Sequence, residues 1–175
     1  MGQHQARGRA NKWTFALAGG LLAGTLDITY AWVFWALKAG ATPVRIFQSV
    51  ARGLLGPAAF QGGAATAALG LFLHYFIATS MSFGFFLVAQ RWTALRSRPL
   101  PYGAGYGLLL YVIMNYIVVP LSAARGGGSG GALWVTLSIL VHMFLIGVPI
   151  ASFTSRAFSG LSTERLAVSA SRPEA

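Results

Sequence analysis

The chain is dominated by four apolar runs, at residues 13–37, 62–89, 102–121 and 132–153. Each meets the roughly 20 residues that an α-helix needs to cross the hydrocarbon of a bilayer. Lipid offers no hydrogen-bond partners, so a spanning segment has to pair its own backbone groups, and the runs read as helices. The expected fold is an all-α membrane protein with four transmembrane helices in an up-down bundle. Composition agrees, because 55% of the residues are hydrophobic and only 9% charged, against about 25% charged in soluble domains.

A net charge of +10 raises the question of nucleic acid. The basic residues form no stripe and do not alternate with aromatics on one surface, as such an interface requires. They cluster at the ends of the spans instead, so the expected partner is the lipid bilayer and not nucleic acid. Arg7, Arg9, Lys12, Arg91, Arg96, Arg98, Arg156, Arg165 and Arg172 fall on one side. Lys38, Arg45, Arg52 and Arg125 fall on the other. The positive-inside rule then places both termini in the cytoplasm, for a multi-pass protein of a bacterial inner (plasma) membrane. The first run is longer than the apolar core of a signal peptide and contains Asp27, so it reads as an uncleaved span. The chain has no cysteine, which removes disulfides, iron–sulfur clusters and thiolate chemistry.

The segments between the spans are short. Residues 1–12 form a basic cytoplasmic arm, 13–155 the membrane domain and 156–175 a flexible cytoplasmic tail. Thr42 and Pro43 supply an N-cap and a first-turn proline for a helix over 43–55. On a helical wheel Ile46, Phe47, Val50, Ala51, Leu54 and Leu55 share one half, with Arg45, Gln48, Ser49 and Arg52 opposite. That pattern predicts an amphipathic helix at the outer interface with its arginines reaching toward headgroups. Gly56-Pro57 ends it, RWTALRSRPLP makes a cytoplasmic turn, and ARGGGSGG makes a glycine-rich outer loop.

Each span carries one residue that is costly in lipid or bonds strongly there: Asp27, His74, Asn115 and His142. The two histidines occupy matching octets, LGLFLHYF at 69–76 and LSILVHMF at 137–144. Counted inward from Trp13, Gln90, Pro101 and Ser155 at about 1.5 Å per residue, all four lie roughly 20 to 24 Å deep, in one layer. They also share a face with small residues: Gly20, Gly24 and Ala31 with Asp27, Gly70 and Ala78 with His74. Gly103, Gly107 and Tyr111 lie in line with Asn115, and Ser138 with His142. Small residues let membrane helices approach closely, so the polar residues point into the bundle. An ionised Asp27 facing lipid would cost about 2.5–3.5 kcal/mol, which favours the same placement.

Two readings of this layer stand side by side. In one, the four side chains bond across the helices and fix register, at about 0.6 kcal/mol per bond. In the other, Asp27 and a histidine exchange a proton or hold a small cation. Tyr30, Tyr111 and Ser138 would support either. His74 and His142 also suggest axial ligands to a haem, and with Asp27 they have ligand types suited to zinc or another metal ion. No cofactor motif accompanies them, and no cofactor is expected.

Hydrolytic chemistry finds little material. Glu164 and Glu174 lie in the tail, so no carboxylate pair exists within the spans, and no nucleophile elbow surrounds Ser80, Ser82 or Ser138. The chain does not read as an enzyme. It reads as a handler of protons or small ions, or alternatively as a non-catalytic scaffold or partner subunit for another membrane protein. Four spans enclose little space, so transport would call for a homo-oligomer.

LHYFIATSMSFGF, RPLPYGAGYG, NYIVVPLSA and the histidine of VHMF together resemble the YagU-like family of small bacterial inner-membrane proteins of uncharacterised function. The resemblance implies a multi-span inner-membrane protein and supplies no activity. A histidine is usual in that family where Asn115 stands here, and this departure weakens the implication of a metal or haem centre.

Overall fold

The computed structural model describes residues 11–124 and 130–170, with side chains as far as 159. Residues 1–10 of the basic arm, 125–129 of the outer loop and the last five residues of the tail lie outside the described residues. Helix α1 (Lys12–Ala39) is capped by the Asn11 side chain, which accepts from the Trp13 N–H at 3.3 Å. It ends on Gly40, whose φ of 64° is cheap only for glycine. Helix α2 (Pro43–Leu55) starts as its sequence dictates, with Thr42 Oγ1 accepting from the Arg45 N–H at 3.3 Å. A 3₁₀ turn, Gly56–Gln61, leads into α3 (Gly63–Arg91). A short α4 (Thr93–Ser97) precedes α5 (Pro99–Leu121), and α6 spans Gly131–Ser159 and continues to Ala170.

Helices α1, α3, α5 and α6 are each long and apolar enough to cross a membrane, and no strand occurs among the described residues. The protein is an all-α membrane bundle. Large apolar side chains such as Leu17, Phe72, Leu109 and Phe144 point outward around it, where only lipid tails would accept them. The connection at 92–98 marks a near side, which holds the start of α1; residues 40–62 and 122–124 mark a far side.

Packing relies on small residues. Gly20 lies against α3 so closely that a Cβ there would come within 2.7 Å of Thr79 Cα, and Gly24 lies against Ala78 and Tyr75. Ser82, fully buried, donates to the Ala16 carbonyl across the same seam at 2.7 Å. Gly103 and Gly107 of α5 meet Gly147 and the His142 peptide of α6 backbone to backbone. Phe85, Leu110, Ile146 and Ile150 fill the centre. Tyr106 joins α5 to α3 by donating to the Met81 carbonyl at 2.7 Å, with its ring 4.9 Å from Phe85.

Three features depart from expectation. Gln48 does not face outward with the arginines: it is buried and donates to the Gly63 carbonyl at 3.0 Å. Helix α2 lies on α3 at Gly70, whose missing side chain makes room for the Phe47 carbonyl. The tail begins as helix rather than loose chain, because Ala157 is buried and the Phe158 ring stacks on Phe86 at 5.5 Å under the Arg96 guanidinium. Finally, α5 and α6 each contain a π-helical stretch, Met114–Val118 and His142–Gly147. Pro120 and Pro149 follow closely, and a proline that cannot donate to the turn before it favours such loosening.

Candidate functional site

The π stretches contain Asn115 and His142, and the widened turns lie beside a cavity of about 320 Å³ in the far half of the bundle. Asp27, His74, Asn115 and His142, one from each span, all line it, together with Tyr30 and Ser138. Helix α2 contributes Ser49, Val50 and Gly53 on the far side. Most of the remaining wall is apolar: Ile77, Met81, Met114, Val118, Val119 and Ile146.

Asp27, His74, Asn115 and His142 do not bond to one another across the helices. His74 Nε2–H donates to the Gly24 carbonyl at 2.7 Å, across the α1–α3 seam that the small residues of both helices create. Carbonyl oxygen only accepts, so Nε2 carries the proton and Nδ1 is the other, unengaged nitrogen. His142 uses the opposite atom: Nδ1–H donates to the Ser138 carbonyl one turn back at 2.8 Å, leaving Nε2. Asn115 Nδ2 donates to the Tyr111 carbonyl at 3.0 Å, and the Asn115 side chain is otherwise exposed. The layer is therefore held by backbone carbonyls.

Asp27 differs from the other three. It is partly buried, it faces the cavity, and its carboxylate accepts no hydrogen bond and forms no ion pair among the described residues. The expected supporting residues have distinct places. Tyr30 and Ser138 share a hydroxyl–hydroxyl bond at 3.1 Å, so α1 and α6 are tied beside the cavity. Tyr111 is buried behind the lining, with the His142 ring edge-on at 5.4 Å.

The far end is closed by an aromatic cluster that the sequence reading did not single out. Trp134 stacks on Tyr30 at 5.2 Å and lies 4.7 Å from Phe34. Lys38 sits over Phe34 and Trp35 and donates to the Gly130 carbonyl. A Trp and a Lys at a span end are the usual interfacial anchors, and that signal was present in the sequence. Ser49 had no such signal, because its half of the wheel reads as polar surface.

Metal chemistry is limited by spacing. Among the described residues no three His, Asp or Glu side chains gather closely enough to hold an ion, so the three-ligand arrangement of Asp27, His74 and His142 does not form. Ser138 is no activated nucleophile either, since its hydroxyl engages Tyr30 and His142 binds its carbonyl. Comparison with protein families, curated proteins and solved structures returned no match, and the site is read from its own geometry.

Proposed function

We propose that the chain is a multi-pass protein of a bacterial inner membrane, both termini cytoplasmic, whose cavity takes up and releases protons or a small cation at Asp27. The observation that carries this reading is a carboxylate without a hydrogen-bond partner among the described residues, in a cavity shared with two histidines. Ionisable groups inside a membrane are expensive and face cavities or partners when function needs them. Each histidine is anchored through one N–H and keeps its second nitrogen for a proton, so a proton can arrive or leave without loosening the ring. His74 and His142 serve here as relay groups and not as haem ligands: His74 keeps Nε2 at the Gly24 carbonyl and would have to turn to present it to an iron. The resemblance to the YagU-like family adds the inner-membrane location. No step calls for catalysis, and movement of ions through so small a bundle calls for a homo-oligomer.

The non-catalytic scaffold is the second reading. It is favoured by the way His74, Asn115 and His142 all donate to backbone carbonyls, as purely structural side chains do. Reconstitution separates the two. In vesicles with an imposed pH gradient and an internal pH dye, the native protein should dissipate the gradient and Asp27→Asn should match protein-free vesicles. Native protein that is folded, oriented and no faster than empty vesicles would leave the scaffold.

A further inference from the structure

The cavity's chemistry selects among cations. Among the described residues Asp27 is the sole carboxylate in its lining, and neither lysine nor arginine lines it. One carboxylate is a poor host for a bare metal ion, which demands several oxygen ligands at once, and no ligand cluster surrounds Asp27 among the described residues. Beside the polar His74, Asn115, Ser138 and His142, much of the wall is thioether, aliphatic and aromatic: Met81, Met114, Ile77, Val118 and the stacked Tyr30–Trp134 pair. Such walls suit a cation that carries its own apolar shell, because the charge meets the carboxylate and an aromatic face while the body displaces water from apolar surface. A volume of about 320 Å³ is enough for a single-ring molecule.

The walls also leave a route. Tyr106 and Met81 join α3 to α5 at the cavity floor, and beyond that level the two helices scarcely approach one another. Helix α2 roofs the far side, tied to the end of α5 by the Ala123 N–H donating to the Gly53 carbonyl at 2.9 Å. Helices α3 and α5, which bring His74, Ile77 and Asn115 to the lining, pack little against each other, and Asn115 and Tyr116 are exposed. Amphiphilic cations concentrate in the interfacial zone of a bilayer, apolar end inward.

We propose that the cavity binds a small amphiphilic organic monocation, an aromatic or alkyl amine or quaternary ammonium, which enters from the lipid between α3 and α5 and pairs with Asp27. The proposal rests on the reading of the cavity as a working site and names its ligand class. The test is equilibrium dialysis of the full chain in zwitterionic-lipid nanodiscs with benzyltrimethylammonium, which cannot lose its charge. Saturable binding at one ligand per chain is expected, without competition from benzenesulfonate, and Asp27→Asn should weaken it at least tenfold while Asp27→Glu restores part of it. The preference for the ammonium over the sulfonate is measured on the native chain and stands even if a variant misfolds. Absent saturation, equal affinity for the sulfonate, or unchanged affinity in a folded Asp27→Asn variant would overturn the proposal. Proton flux without ammonium binding removes the ligand class and keeps the proton reading; Asp27-dependent binding without flux does the reverse.

Discussion

Gly107→Ala tests the packing that positions His142. A Cβ built on Gly107 would lie 2.7 Å from Met143 Cα and closer still to the His142 carbonyl oxygen. Ordinary carbon contacts lie at about 3.5–4.0 Å, so α5 and α6 must part by roughly 1 Å. Both obstacles are backbone and cannot rotate aside. Overpacking of this kind costs about 1–3 kcal/mol. The separation also weakens the neighbouring contacts at Gly103 and Gly147, in a setting where close packing takes the place of a hydrophobic drive. Gly105 supplies the control on the same helix: it is exposed with nothing within 4 Å of an added Cβ. There alanine gains about 0.5–1 kcal/mol from a stiffer unfolded chain. The two variants should therefore differ by about 1.5–4 kcal/mol, more than tenfold in the unfolding constant. Unfolding by SDS titration from mixed micelles, followed by far-UV circular dichroism, reads the difference directly. Stabilities equal within about 0.5 kcal/mol would refute the backbone crossing, since that is the size of ordinary surface effects.

Other perturbations probe the cavity wall. His74→Gln should lower stability by no more than about 1 kcal/mol, because one interhelical bond in a membrane contributes about 0.6; a loss above about 2 in the same titration would assign His74 a dominant structural role. Asp27→Asn should raise thermal stability in detergent by about 1 kcal/mol, since it removes a charge that no described partner compensates. A marked drop would reveal a partner that the geometry lacks. A Cβ on Gly53 would stand 3.9 Å from Ser122 Cβ, within disulfide range. The pair Gly53→Cys and Ser122→Cys, in a chain otherwise free of cysteine, should cross-link under mild oxidation, and absence of the cross-link by non-reducing gel would show that α2 does not roof the cavity.

The spans were legible because a bilayer imposes a length on any apolar helix, and the four polar residues were legible because apolar runs make each exception visible. Their common cavity follows from equal depth and from the small residues on the same faces. The bonding partners were not legible: periodicity shows which face Asn115 and His142 occupy, but not that each would turn back to a carbonyl of its own helix. The wheel misassigned Gln48 because it knows polarity and not neighbours. Gln48 found the Gly63 carbonyl once α2 settled on Gly70. The π stretches did have a signal, since Pro120 and Pro149 each stand just beyond one of them. The helical start of the tail depends on Phe158 meeting Phe86, a contact between residues distant in sequence that no local pattern announces.

Dicyclohexylcarbodiimide labelling of the protein in its membrane, read by peptide mass spectrometry, addresses Asp27 most directly. The reagent partitions into hydrocarbon and modifies only carboxyl groups that can take up a proton there. A stable adduct on Asp27, with loss of the gradient dissipation, is the expected result. An unmodified Asp27, with any label confined to Glu164 or Glu174, would mean that the carboxylate neither protonates nor opens to the lipid, and the cavity would be packing alone.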